Sequence, residues 1–405
     1  MFKRLHLLRE KYPHQFWLLF FGSLISTIGA SMIWPFLMIY VSGRLTLPLV
    51  SVASLMTINA GMGLIAAFIA GPITDRLGRK WVMAFSLAAN GLVYLLLSQA
   101  HSYLAFAFLM GLSGSVNPLF RIGSDAMLAD LIPPAKRIEA YSLMRMSNNI
   151  GIALGPALGG LIAATSYTIA FFIAAGGMGI YSLLITTLAH ETLLKSPGAS
   201  AAPVERFGGY GRILKDHAFI SFVAAFTLTS ISAAIMWVLL GVYVKTNYAV
   251  SESQYGMIPM TNALMVVFFQ ILVTRITKRY RALPVLSLGA LFYAFGVGSV
   301  ALGRGFWAFW VCMIIMTIGE LIMTPTATTL VANLAPAEMR GRYMSLYGLT
   351  WGVAAGIGPV LGGFLNDQVG PAAIWYGGLV AGLLSSAGFF WLSRRVQRPA
   401  PAQVL

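Results

Sequence analysis

One carboxylate stands alone inside an apolar stretch. Glu320 has uncharged residues on both sides for the length of a membrane-spanning helix, and Thr317, Glu320, Thr324 and Thr328 fall at i, i+3, i+7 and i+11. That spacing sets the four on one helical face as a polar stripe. A charge buried in hydrocarbon costs several kcal/mol, so such acids face cavities and carry function. Burial favours the protonated form, which fits Glu320 to bind and release a proton near neutral pH. A second cluster lies at Gly71-Pro72-Ile73-Thr74-Asp75-Arg76-Leu77-Gly78-Arg79-Lys80, one acid and three bases between two apolar runs. No Ser/His/Asp group, paired carboxylates or metal-spaced ligands appear, the five His are scattered, and the single Cys312 sits in an apolar run. The residues therefore suggest no enzyme, no cofactor and no metal site.

The elements that must position these groups follow from composition. The 405 residues are 58% hydrophobic and 10% charged, against about 45–50% and about 25% in soluble domains. Twelve apolar segments fall near 16–41, 50–72, 81–99, 102–124, 140–164, 168–189, 218–244, 254–274, 283–302, 306–331, 342–366 and 372–393. Each is about the 20 residues that cross a bilayer as a helix; barrel strands would be half as long and would alternate in polarity. The expected fold is an all-α polytopic membrane protein of twelve transmembrane helices. The basic Met1–His14 precedes an apolar run too long for a signal peptide, with no small-residue cleavage site, so the first helix is expected to be retained. Lys195–His217 is the long polar stretch. It divides the chain into a six-helix bundle (1–194), a linker (195–217) and a second six-helix bundle (218–405).

Net charge is +15, and its distribution is one-sided. Lys3, Arg4, Arg9 and Lys11 share a side with Arg76, Arg79, Lys80, Lys136 and Arg137. Lys195, Arg206, Arg212, Lys215, Arg275, Lys278, Arg279, Arg281, Arg340, Arg342, Arg394, Arg395 and Arg398 join them, whereas Arg44, Lys245 and Arg304 lie opposite. By the positive-inside rule both termini and the linker are cytoplasmic, in a multi-pass protein of the cell membrane. Such charge points to anionic lipid headgroups as partners, not nucleic acid.

An internal repeat joins the two halves. Advanced by 203 residues, Ala129–Ile162 falls on Ala332–Leu365 without a gap. Leu131, Pro133, Arg137, Ser142, Leu143, Gly155, Pro156, Gly159 and Gly160 meet identical residues there. Thr74 and Arg76 fall on Thr277 and Arg279, while Asp75 and Gly78 fall on Lys278 and Arg281. Two such bundles, related by an axis along the membrane normal, can rock about a central site. Gly151, Gly155 and Gly159 recur at i+4, as do Ala354, Gly358 and Gly362, a spacing that lets spanning helices approach closely.

Gly71–Lys80 resembles the signature loop between helices two and three of the major facilitator superfamily (G-x-x-x-D-R-x-G-R-K). Gly151-Ile-Ala-Leu-Gly155-Pro156-Ala-Leu-Gly159-Gly160 resembles the helix-five motif of that superfamily's drug:proton antiporters. The resemblance covers essentially the whole chain. It implies a latch in which Asp75 caps helix eleven near Gly341 while Arg79 pairs with Asp125 or Asp130. Arg145 is near enough to Asp130 to pair with it as well. It further implies a seam between helices five and eight, a monomer, and a pathway lined by helices one, four, seven and ten. Cavity candidates on that layout are Thr27, Ser31 and Trp34, with Ser23 on the same stripe, then Asn117, Asn148, Asn149, Trp237, Thr317, Thr324, Tyr347 and Trp351. One departure stands out: Phe106–Gly114 lacks the basic residue that many drug:proton antiporters carry in helix four, which leaves more of the proton chemistry to Glu320.

A large, aromatic, weakly polar pocket suits lipophilic or amphipathic cargo. The expected function is proton-coupled efflux of a small lipophilic or cationic compound by alternating access. The alternatives are a transporter of a lipid or amphipathic metabolite, and an uncoupled facilitator of a polar solute such as a sugar.

Overall fold

The computed structural model describes residues 12–193, 210–336 and 339–395. The N-terminal arm, the first part of the linker and the last ten residues, with the charges expected there, lie outside these. The helices are α1 (His14–Arg44), α2 (Leu49–Leu77), α3 (Arg79–Gln99), α4 (Tyr103–Leu131), α5 (Pro134–Ala163), α6 (Tyr167–Leu188), α7 (His217–Tyr248), α8 (Glu252–Thr277), α9 (Ala282–Leu302), α10 (Gly305–Leu334), α11 (Arg340–Gln368) and α12 (Ala373–Arg395). Among the described residues no strand occurs. Eleven of these helices are long and apolar enough to cross a membrane. The other, α5, has 30 residues but is diluted by Arg145, Ser147, Asn148, Asn149 and its glycines. Of these, Ser147 is buried and donates to the Phe20 carbonyl at 2.8 Å, whereas Arg145 and Asn148 are exposed.

The 203-residue offset runs through the whole architecture. Helices beginning at residues 14, 49, 79, 103, 134 and 167 reappear beginning at 217, 252, 282, 305, 340 and 373. Contacts gather the described chain into two compact units. The first holds the residues up to 193 together with Val238–Leu264, and the second holds 210–237 together with the residues from Met265 onward.

In the first unit α2 packs on α4, α1 on α5 and α6, and α3 on α4 and α6. The adjoining ends of α7 and α8 complete it: Tyr255 sets its ring edge-on to Phe36 with centroids 5.5 Å apart, and Gly256 meets the Pro156 carbonyl. Near the motif turn the core is aromatic, with Phe16 fully buried between Tyr12 and Phe20.

The second unit repeats the scheme, α9 packing on α10 and α12, and α11 on α12. Its stretch of α7 is fastened to α12 by a 2.6 Å hydrogen bond between the Thr229 and Ser385 hydroxyls. Equivalent residues make equivalent contacts in the two units. A Cβ added at Gly155 would stand 3.0 Å from the Ile28 carbonyl and would also strike Ser31; one added at Gly358 would stand 3.0 Å from the Ile231 carbonyl and 3.1 Å from Ala234. All three second-unit residues lie 203 positions on.

Candidate functional site

The motif turn is built by a glycine. Gly78 has φ +94°, a left-handed conformation that residues with a Cβ avoid, and a Cβ there would overlap the Glu191 carboxylate. That carboxylate bridges the first amides of α3, accepting from Arg79 N at 3.0 Å and Lys80 N at 3.1 Å. It satisfies two orphan donors at the positive end of the helix dipole. Arg79 turns inward, with its side chain 14% exposed, 3.4 Å from Asp75 and 3.2 Å from Asp130. The Asp130 contact is an ion pair by distance, but its Nε–H is too poorly aligned to count as a hydrogen bond. Thr192 Oγ1 donates to Asp130 at 2.9 Å.

Of the two acids expected for Arg79, Asp130 is therefore the partner. Asp125 instead lends its backbone carbonyl to the Tyr141 hydroxyl. The expected pairing of Arg145 with Asp130 is not made: Asp130 is taken by Arg79 and Thr192, and Arg145 is exposed. Asp75 and Arg76 are exposed, Lys80 lies over the Trp81 ring, and a side chain at Gly71 would meet nothing within 4 Å. Glu191 and Thr192 escape sequence reasoning. An acid just before the linker has no sequence mark that ties it to a turn 112 residues earlier.

The glycine stripe of α5 carves a seam, though mainly against α1. A Cβ at Gly151 would stand 2.7 Å from Thr27, and Cβ atoms at Gly155 and Gly159 would collide with Ser31 and Met32. Pro156 and Gly160 meet α8, at Gly256 and at the Glu252 carbonyl. The expected approach of helices five and eight occurs at these residues, while the i+4 spacing aims Gly151, Gly155 and Gly159 at α1. Thr27 and Ser31, both half-buried, lie in this seam, where Thr27 Oγ1 donates to Asn148 Oδ1 at 3.1 Å. Ser23 is buried, Asn149 is half-buried, and Trp34 is exposed in the one-turn 3-10 interruption of α1. Asn117, exposed, donates to Ser113, whose hydroxyl donates to Asn90 of α3, a polar chain between α3 and α4 whose Ser113 and Asn90 are buried.

At the opposite end of this unit is a cavity of about 470 Å3 lined by Tyr40, Arg44, Tyr167, Lys245 and Glu252. The Glu252 carboxylate takes the Lys245 ammonium at 3.0 Å and the Tyr167 hydroxyl at 3.0 Å, tying α8 to both α7 and α6. Arg44 lies 2.7 Å from His101 Nε2. Because guanidinium only donates, that nitrogen is the acceptor.

In the second unit α10 carries Glu320, half-buried, with Thr317 buried and Thr324 half-buried on the same face. Thr317 satisfies its hydroxyl on its own helix, donating to the Met313 carbonyl at 2.7 Å. Beside Glu320, a Cβ at Gly319 would stand 2.7 Å from the Gly289 carbonyl and 3.0 Å from Tyr293, so α9 and α10 touch by their backbones. One turn on, Pro325 removes the amide that would bond the Leu321 carbonyl. Gln270 of α8 replaces it, its Nε2 donating to Leu321 O at 3.0 Å. Tyr347 is buried and Trp351 exposed, and both set their rings against Phe226 of α7, the first tilted and the second edge-on, with Phe222 behind. Trp237 is half-buried. Gln270, Phe222 and Phe226 also escape sequence reasoning, since neither an amide nor an aromatic residue in an apolar run advertises its partner. Among the described residues no group of three or more His, Cys, Asp or Glu could hold a metal ion.

These helices, wired by a G-x-x-x-D-R-x-G-R-K turn and doubled at a fixed offset, match the sequence model of the Major Facilitator Superfamily over residues 19–240 and 222–404. The chain belongs to the Major Facilitator Superfamily. It is a multi-pass membrane transporter and not an enzyme. It is 27% identical over 363 residues to a "Na(+), Li(+), K(+)/H(+) antiporter" of Planococcus maritimus, covering 81% of this chain and 84% of that one. It is 24% identical over 310 residues to the "Multidrug resistance protein MdtH" of Cronobacter sakazakii, covering 76% and 75%. The fold is similar to that of a crystallised mutant of the nucleoside transporter NupG, with TM-score 0.80 at 13% identity over 93% of this chain and 99% of that chain.

Proposed function

We propose that this transporter exports a small lipophilic or cationic compound in exchange for protons, with Glu320 as the proton-binding group. The observation that carries the reading is the half-buried Glu320 on the Thr317–Thr324 face of α10, next to a backbone broken by Pro325 and repaired by Gln270. An acid at such a place is held in either charge state by what faces it. Protonated, it releases a cationic guest; deprotonated, it captures one. Trp351, 42% exposed and backed by the buried Phe226, Phe222 and Tyr347, supplies an aromatic surface suited to flat apolar or cationic cargo. The two six-helix halves are the moving bodies. On the proposed topology, with both termini cytoplasmic, the Asp75–Arg79–Asp130 network is the cytoplasmic latch.

A second reading, alkali-cation/proton exchange at the same acid, is favoured by the antiporter name of the Planococcus relative. Vesicles containing the purified protein separate the two. An imposed pH gradient drives counter-transport of lipophilic dye cations on the first reading, and of sodium or potassium without the dyes on the second. Equal fluxes with and without the gradient would contradict proton coupling altogether.

A further inference from the structure

The second unit holds, at the place equivalent to the motif turn, a pocket of about 230 Å3 between the end of α8, the start of α9 and the end of α10. The 203-residue offset explains its existence. Asp75, Asp130 and Glu191 become Lys278, Asn333 and Arg394, and Arg79 becomes Ala282. In the first unit the Arg79 side chain fills this space, and three carboxylates surround it and the α3 amides. In the second unit all three acids are gone, and a methyl group stands where the guanidinium was.

Lys278, Ala282, Asn333, Thr274, Thr277 and Thr329 line the resulting space, and no acid is among its lining residues. The start of α9 has no side-chain cap. Its amides at Ala282 and Leu283 are the counterparts of the two that Glu191 binds on α3. Arg394, at the position of Glu191, instead lays its guanidinium over the Phe390 ring at 4.7 Å. Beside the pocket, Tyr280 is 67% exposed and the α8 side chains Ile271, Leu272 and Ile276 are 66%, 55% and 51% exposed. A polar, cationic recess therefore opens next to an apolar helix face that is free to meet hydrocarbon.

We propose that this pocket binds the phosphate of an anionic phospholipid, in the leaflet on the motif-turn side. The lipid anion takes the space that the Arg79 side chain fills in the first unit, at the start of α9, where Ala282 lines the pocket. Lys278 supplies the charge, Asn333 and Thr329 supply hydrogen-bond donors, and the α9 amides supply the oriented dipole. The acyl chains lie along Ile271, Leu272 and Ile276. Basic residues near a membrane surface attract anionic lipid in general; the uncapped helix start and the recess distinguish this place from the other positive loops. Free phosphate shares the headgroup's chemistry but lacks the apolar contact with α8.

The test is a thermal-unfolding titration of the purified full-length protein in uncharged detergent, with dioleoyl phosphatidylglycerol, dioleoyl phosphatidylcholine or inorganic phosphate. Phosphatidylglycerol is expected to raise the midpoint saturably, and the other two are expected to leave it unchanged at equal concentration. Lys278→Gln weakens the apparent affinity about tenfold, the scale of one lost charge-assisted contact. Lys136→Gln, which removes an equal charge from the first unit, leaves it within about twofold. The triple change Lys278→Asp, Ala282→Arg and Asn333→Asp rebuilds the first unit's residues and abolishes the response; if it fails to fold, Lys278→Gln decides alone. Equal stabilisation by phosphatidylcholine, or a Lys278→Gln affinity matching that of Lys136→Gln, would overturn the site. Full stabilisation by inorganic phosphate would overturn its assignment to a lipid.

Discussion

At the scale of single residues, some groups hold structure and others change state. Glu191 belongs to the first kind. It fixes the start of α3, so Glu191→Ala frees two amides and is expected to cost about 0.5–2 kcal/mol, the usual worth of a helix cap, read as a lower unfolding midpoint. Gln270 is similar: Gln270→Leu leaves the Leu321 carbonyl without its donor, at about 1–3 kcal/mol. Measured in a second background where Pro325→Ala restores the helix amide, that loss should largely vanish. On the proposed function Glu320 belongs to the second kind, and its removal should spare folding while changing transport. This distinction was half legible in the sequence. Glu320 stood out because an acid in an apolar run is costly, whereas Gln270 gave no sign that its amide repairs a proline break, through a carbonyl 51 residues away.

At the scale of elements, helix number and length were legible, because hydrocarbon thickness dictates about 20 apolar residues per span. What each helix faces was less so. The α5 glycines sit on one face by their spacing alone, but spacing does not name the neighbour, and three of them press on α1. Gly155→Val is therefore expected to destabilise the α1–α5 contact by about 1–3 kcal/mol or more through overpacking. Gly71→Ala, where a side chain would meet nothing, should leave the unfolding midpoint unchanged. Comparing the two midpoints in one detergent checks the contrast. The ionic cluster at Glu252, Lys245 and Tyr167 was not foreseen either. Its three residues come from three helices, and the lysine reads in sequence only as a topological charge.

At the scale of the whole molecule, the doubled architecture was visible in the sequence as an offset of 203, and the helix starts keep it within three residues. The asymmetry within that symmetry is more informative than the repeat. The first half retains Asp75, Asp130 and Glu191 about Arg79, and the second half replaces all three acids. If the first-half network is the latch of an alternating-access cycle, Asp75→Asn weakens it. Cysteines placed along the pathway should then become more accessible from the motif-turn side, and an unchanged labelling pattern would remove the latch. The central claim, that Glu320 exchanges a proton for cargo, is tested most directly by proton release. A transported lipophilic cation is added to purified protein in weakly buffered detergent, and the pH is recorded. About one proton should be released per cation bound by the native protein, following the thermodynamic linkage of two ligands at one acid, and none from Glu320→Gln. Equal release from both proteins would contradict that claim.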